Sequence, residues 1–146
     1  MKKYKIKRLQ IRNLTCFENA KLEFSPEINV LIGENGTGKT HLLKTIFGVV
    51  AGLSSTHIER NGSDLTLNTT GYRLENTLRR IFKVDRIDKI ISFGQEALNL
   101  SVDWLGREFE FEIKKEEVNI SNEIGLTNEV SVAYLPPNEM LSWFEG

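Results

Sequence analysis

The sequence predicts an α/β fold in which a strand–loop–helix nucleus near the N-terminus carries an antiparallel β-lobe. Three observations predict it. An apolar run, Ile28-Asn29-Val30-Leu31-Ile32, leads straight into a glycine-rich stretch. Leu42, Leu43, Ile46, Phe47 and Val50 then recur at helical spacing, giving one apolar stripe. Further on, Phe109, Phe111 and Ile113 alternate with Glu108, Glu110 and Glu112, the pattern of a sheet with one wet face.

Taken in chain order, residues 4–11 alternate apolar and basic with a phase slip at Arg8, which predicts a strand with a bulge. Phe17 to Phe24 is a second strand, stopped by Ser25-Pro26. The run Ile28–Ile32 suits a strand covered on both faces. A helix follows from Lys39 to about Ala51, with Gly52 as its stop. Residues 53–72 are rich in Ser, Thr, Asn and Gly and read as a surface loop, with a short strand at Leu65-Thr66-Leu67. Leu74, Leu78, Ile81 and Phe82 mark a second helix. Strands are then expected at Lys89–Phe93, Leu98–Trp104, Glu108–Ile113 and Val130–Leu135, the middle pair forming a hairpin around Leu105-Gly106.

The 146 residues make one domain. Hydrophobic residues at 40% and charged residues at 27% exclude a disordered tail or a fibre. The longest apolar runs, such as Ile46 to Leu53, are too short to span a membrane. No apolar segment follows the basic start Met1-Lys2-Lys3-Tyr4-Lys5, so no secretory signal is read there. Cys16 is the only cysteine, which excludes an internal disulfide or a cysteine metal cluster, and a cytoplasmic protein is expected. The net charge of −1 divides unevenly: residues 1–48 balance at +5 and residues 49–146 at −6. The basic half suits an anionic partner, and the acidic half does not suit a phosphate backbone.

The sharpest chemical signal is Gly33-Glu34-Asn35-Gly36-Thr37-Gly38-Lys39-Thr40, which fits G-x-x-x-x-G-K-[ST]. Glycines allow positive φ, so successive N–H groups turn inward and form a concave nest for a phosphate. A helix starting near Lys39 adds unpaired amides and its positive dipole end to the same anion. Gly33, Asn35, Gly36, Thr37, Gly38, Lys39, Thr40 and His41 are therefore the expected nucleotide-binding residues. Lys39 is assigned to the β- and γ-phosphates and the Thr40 hydroxyl to Mg²⁺.

Three classes share such a loop. A GTPase requires D-x-x-G and a later N/T-K-x-D; Asp103-Trp104-Leu105-Gly106 fits the first, but nothing matches the second, and Asp103 reads as a hairpin residue. A small-molecule kinase requires lid arginines, for which Arg73, Arg79 and Arg80 are available on an amphipathic helix. The third class is met through a resemblance. Ile6–Ile11, the turn Asn13-Leu14-Thr15-Cys16-Phe17-Glu18-Asn19, the strand end Leu22-Glu23-Phe24, and Ile28 through Thr40 follow in order. Together with Leu42-Leu43-Lys44-Thr45-Ile46 they resemble the start of ABC-type ATPases of the SMC, RecF and OLD (overcoming lysogenization defect) group. Asn35 and Gly36 match that group's G-x-N-G-x-G-K-[ST]. The resemblance covers about the first third of the chain, and the rest looks like the group's variable antiparallel arm.

The resemblance implies an ATP-binding N-terminal lobe of an ABC ATPase, with residues 1–146 one piece of a longer protein. Its partner lobe would supply the Walker B carboxylates, the signature loop and a switch histidine, none of which is seen in this sequence. The only histidines, His41 and His57, read as surface residues rather than catalysts, and no catalytic residue is assigned. The chain alone is expected to bind ATP with little turnover. By the same resemblance, a polar residue that helps hold Mg²⁺ is expected after Val130–Leu135, where Asn138 and Glu139 stand in place of the usual glutamine; Gln95 is a second candidate. The base is expected near Asn13 to Phe17, with Phe17 either stacking on adenine or joining the core. The cluster Lys2, Lys3, Lys5, Lys7 and Arg8 reads as edge-strand protection against aggregation, or as a DNA contact. The aromatic C-terminal stretch Trp143-Phe144 fits truncation. ATP-driven dimerisation of two heads and a DNA-directed role come from the resemblance alone. A metabolic kinase and a non-hydrolysing nucleotide-sensing scaffold remain alternatives.

Overall fold

Alternation of apolar and polar side chains builds a five-stranded antiparallel sheet. Its strands are β1 (Ile6–Leu14), β2 (Phe17–Glu23), β3 (Ala97–Trp104), β4 (Arg107–Lys114) and β5 (Glu117–Ile120), in the order β2-β1-β3-β4-β5. The computed structural model describes residues 6–54, 67–104, 106–115 and 117–121, together with Ala133. Helices α1 (Lys39–Ser54) and α2 (Leu67–Phe82) and a 3-10 turn at Ile87–Ile90 complete the described elements.

The core face of the sheet is made by Leu9 and Ile11 on β1, Leu98, Leu100, Val102 and Trp104 on β3, and Phe109, Phe111 and Ile113 on β4. The register between β1 and β3 shifts between Ile6 and Arg8, where the sequence loses its phase. Each side chain of this size contributes about 1.5–3 kcal/mol when buried, so the row dominates the lobe's stability. The hairpin closes with Trp104 opposite Arg107, and Gly106 takes φ 75 between them.

Helix α2 lies between α1 and the β5 end of the sheet. Glycines permit the close approach. A methyl group on Gly48 would stand 2.6 Å from Leu78 Cδ2, and one on Gly52 3.0 Å from the Leu74 main chain. On the other side of α2, a methyl on Gly71 would meet the Val118 carbonyl at 2.7 Å. Leu42, Val49, Val50 and Leu53 of α1 join Leu74 and Leu78 of α2 and the sheet in one core.

Five expectations are corrected. Helix α1 runs through the expected stop at Gly52 to Ser54. The segment 67–72 is helical, with Gly71 close against Val118 of β5, a long-range contact that its loop-like composition does not reveal; residues 55–66, with Leu65 and Thr66, lie outside the described residues. The strand expected at Lys89–Phe93 is a 3-10 turn followed by a single bridge from Ile91 to Leu14. Lys7 and Arg8 do not protect an edge, since β1 lies between β2 and β3, and both are exposed; Lys2, Lys3 and Lys5 lie outside the described residues. Most consequentially, Ile28–Ile32 belongs to no strand. Among the described residues no backbone-to-backbone hydrogen bond reaches it, and Ile28, Val30 and Ile32 are 85%, 72% and 92% exposed. Among the described residues, no strand covers its faces. Apart from Ala133, Val130–Leu135 lies outside the described residues. β5 was not expected.

The helix contact is testable. Gly52→Val forces a branched side chain into the Leu74 main chain. It should cost about 1–3 kcal/mol of unfolding free energy in a urea titration, whereas a midpoint equal to wild type would show that the α1–α2 spacing is elastic.

Candidate functional site

Between the exposed segment and α1 the chain makes the glycine loop, residues 33–38. Gly36 and Gly38 have φ of 83 and 88, conformations that side chains resist. Nothing lies within 4 Å of a methyl built on Gly36, so its side of the loop is open. Gly38 differs. A methyl there would come within 2.4 Å of Cys16 Sγ and 2.7 Å of Phe17 Cζ, so the β1–β2 turn presses directly on the loop.

Two internal bonds shape the loop. The Thr37 hydroxyl donates to the Glu34 carbonyl at 2.9 Å, and the Lys39 ammonium donates to the carbonyls of Gly33 at 2.6 Å and Glu34 at 2.5 Å. An ammonium has three donors, so one remains for an incoming oxygen. The first bond into the helix from outside runs from the Leu42 amide to the Gly38 carbonyl at 2.9 Å. Among the described residues, no backbone bond uses the amides of Lys39, Thr40 or His41 as donors. These are the unpaired amides of a helix start, with the positive dipole end behind them. The Thr40 side chain is exposed beside them.

His41 does not behave as the expected surface residue. It is half-buried, and its Nδ1 lies 2.9 Å from Thr15 Oγ1. Its ring tilts against Phe82 at 5.6 Å, and the Lys44 ammonium stands 5.5 Å over the same Phe82 ring. Burial, and then the Lys44 charge, push its pKa below the ordinary histidine value, favouring the neutral ring. With Nδ1 committed to Thr15, His41 faces the loop with its main-chain amide at the helix start. Thr15 itself has φ 48, a rare state for a β-branched residue that costs about 1–3 kcal/mol.

The structure brings together Gly33 through His41 with the Thr15–Phe17 turn. It leaves other candidates apart or undescribed. Phe17 packs partly against the core as well as on Gly38. Gln95 sits on an exposed turn, with its amide bonded to Ser92, beside a cavity of about 560 Å³ that Phe93 and Lys114 also line. Asp103 lies in β3, one residue before its end and opposite Glu108, within the hairpin. Arg79 is paired with Glu75 at 3.5 Å along α2, and Arg80 lines a groove with Phe47, Thr77 and Ile81. His57, Asn138 and Glu139 lie outside the described residues. Sequence reasoning missed the Thr15–His41 link, because the two residues are 26 positions apart and nothing in spacing pairs them.

A sequence model of the AAA ATPase domain matches residues 4–139. The chain belongs to the AAA ATPase domain family. Its relatives carry the RecF and Rad50 names, so the resemblance read from Ile6–Phe47 to the SMC/RecF group holds. The DNA replication and repair protein RecF of Staphylococcus haemolyticus is 37% identical over 51% of this chain and 20% of its own length. The DNA double-strand break repair Rad50 ATPase of Archaeoglobus fulgidus is 37% identical over 49% of this chain and 8% of its own length. Among solved structures, the recombination mediator protein RecF with ATP superposes with a TM-score of 0.53 at 17% identity. That overlap covers 81% of this chain and 27% of the RecF chain, and it establishes the shared fold. The chain thus spans about a fifth or less of these curated relatives. Membership of an ATPase-domain family makes a nucleotide the expected ligand class of the chain. No helix among the described residues is long and apolar enough to cross a membrane.

The close seat of Gly38 generates a prediction. Gly38→Ala combines positive φ with a collision against Cys16 and Phe17. It should lower stability by at least about 1–2 kcal/mol in urea, and an unchanged midpoint would mean that the turn yields freely.

Proposed function

We propose that this chain is the N-terminal ATP-binding lobe of an SMC/RecF/OLD-like ATPase. The full protein would act in DNA repair, chromosome maintenance or defence against phage. The observation that carries the proposal is the set of unclaimed amides from Lys39 to His41, set behind two left-handed glycines in an ATPase-domain chain. These residues fit a nucleoside triphosphate. Gly36 leaves its side of the loop open, Gly38 and the helix start supply amides, and Lys39 keeps a donor for the β- and γ-phosphates. Mg²⁺ would be held by the Thr40 hydroxyl, a hard oxygen donor of the kind that ion prefers. When bound, the metal would neutralise phosphate charge.

The exposed run Ile28-Asn29-Val30-Leu31-Ile32 supports the second part of the proposal, that a further lobe completes this one. Three alternating apolar side chains, exposed on a segment that no described strand pairs with, suit strand addition. Strands from that lobe would cover them, and with the lobe would come the carboxylates that activate water. The 146 residues alone then bind ATP with little turnover. In the full protein, ATP would join two heads into a homodimer, and the protein would reside in the cytoplasm. For DNA, the favourable part of the wet sheet face is the β1–β2 half with Arg8, Arg12 and Lys21, since Glu108 and Glu110 line β4. The arrangement of Arg79 and Arg80 along α2 does not favour the kinase alternative.

Calorimetric titration of Mg-ATP into the Lys39→Ala variant should show no binding while the circular dichroism spectrum stays that of wild type; equal affinity would refute the nucleotide assignment. Independently, replacing Val30 and Ile32 by Thr should reduce concentration-dependent self-association of the isolated chain in sedimentation runs. An unchanged association constant would show that this segment is not the sticky surface.

A further inference from the structure

Among the described residues, two of the four non-glycine positions with positive φ fall in one short turn, Asn13 at 62 and Thr15 at 48. Such a conformation persists at a β-branched residue only where its surroundings over-determine it. On one side the ties are to the 90–97 segment. The Thr15 amide donates to the Ile90 carbonyl at 2.8 Å, the Ser92 amide to the Asn13 carbonyl at 2.9 Å, and the Asn13 side-chain amide to the Ala97 carbonyl at 2.9 Å. On the other side, among the described residues, the polar tie is between the Thr15 hydroxyl and His41 in the first turn of α1.

The same turn is what the phosphate loop rests on. Gly38 meets Cys16 and Phe17 with no space for a methyl group, so displacement of the turn is transmitted to Gly38. The loop's side-chain bonds, Thr37 to Glu34 and Lys39 to Gly33 and Glu34, are internal and do not anchor it to the sheet. We propose that His41 is a positioning residue of the phosphate loop: its bond to Thr15 seats the turn against Gly38 and keeps the amides from Gly38 to His41 aimed at one phosphate. This rests on the ATP-binding reading above and deepens it by naming what holds the site in shape. Either tautomer of the neutral ring serves, because the Thr15 hydroxyl can donate to Nδ1 or accept from it. The Phe82 ring limits where the imidazole can swing.

The test separates the bond from the packing. Thr15→Val removes the hydroxyl, His41→Phe keeps a ring against Phe82 without a polar atom, and His41→Asn keeps a polar atom near the place of Nδ1 without the ring. In the full chain, Thr15→Val and His41→Phe should each weaken Mg-ATP binding about tenfold, with the double variant no weaker than either. His41→Asn should stay within about threefold of wild type. Cys16, the only cysteine, reports on the turn without nucleotide. Its alkylation by iodoacetamide should quicken in Thr15→Val and His41→Phe and not in His41→Asn. Wild-type affinity in His41→Phe, or a His41→Asn variant as weak as His41→Phe, overturns the proposal. Should wild type itself bind no ATP, the phosphate-loop reading fails instead, and equal alkylation rates in all three variants would still remove the brace.

Discussion

The contact of Gly38 with the β1–β2 turn constrains the whole N-terminal region. A residue with a side chain can occupy neither that backbone conformation nor that space, since φ is 88 and Cys16 Sγ would lie 2.4 Å from a Cβ. Because Gly38 sits one residue before α1, the contact also sets where the helix begins and where its unpaired amides point. The other end of α1 is fixed differently, by burial of Val49, Val50 and Leu53 against α2 and the sheet. A helix held by packing at its C-terminal half and by a glycine seat at its N-terminus has little freedom to rotate. That is the condition an anion site built from main-chain amides requires, because such amides cannot re-aim individually as side chains can.

What the sequence made legible was whatever depends on local chemistry. The loop Gly33–Thr40 needs glycines at fixed places and a Lys-Thr pair after them, and no longer-range information enters. The β3–β4 hairpin and its buried row Phe109, Phe111 and Ile113 follow from strict alternation, and the break at Arg8 follows from its loss. Features that depend on distant partners stayed hidden. The start of α2 looks like a loop by composition, yet it is helical, with Gly71 close against Val118. Residues 89–93 look like a strand, yet the chain there is spent on the Asn13–Thr15 turn, with Thr15 bonded to Ile90 and Asn13 to Ser92. His41 looks like a surface residue at its place in the helix, and becomes half-buried because Thr15 and Phe82 converge on it. Long-range ties of this kind have no period and no motif.

Charge divides the sheet's wet face in the same sense as it divides the sequence. Arg8 stands across from Glu23 at 4.0 Å with both side chains well exposed, an ion pair worth little by itself. Arg12 and Lys21 lie near it on the same face, while Glu108, Glu110 and Glu112 run along β4. Glu112 is partly answered by Lys114 at 2.9 Å, and Glu108 accepts from the Ser101 hydroxyl at 2.9 Å. Three carboxylates against one lysine make this side of the face acidic, so an anionic polymer is favoured only over β1 and β2. The N-terminal half of the chain thus carries both the amides suited to a triphosphate and the part of the sheet that tolerates a phosphate backbone.

The run Ile28–Ile32 closes the physical account. It enters the loop from the side opposite Gly38, and among the described residues no main-chain bond holds it. Among the described residues, the loop is therefore anchored at its exit, through Gly38 and the Thr15 turn, more firmly than at its entrance at Gly33. Lys39 spans that gap, binding the Gly33 and Glu34 carbonyls and so tying the entrance to the helix. A triphosphate that draws Lys39 away from those carbonyls would release the entrance unless neighbouring strands held Ile28–Ile32. Exposed apolar side chains at 28, 30 and 32 are what such strands would bury, so completing the sheet and fixing the entrance are one event. On the proposed reading, joining of the two lobes and tight nucleotide binding are therefore thermodynamically linked, each strengthening the other by the same factor.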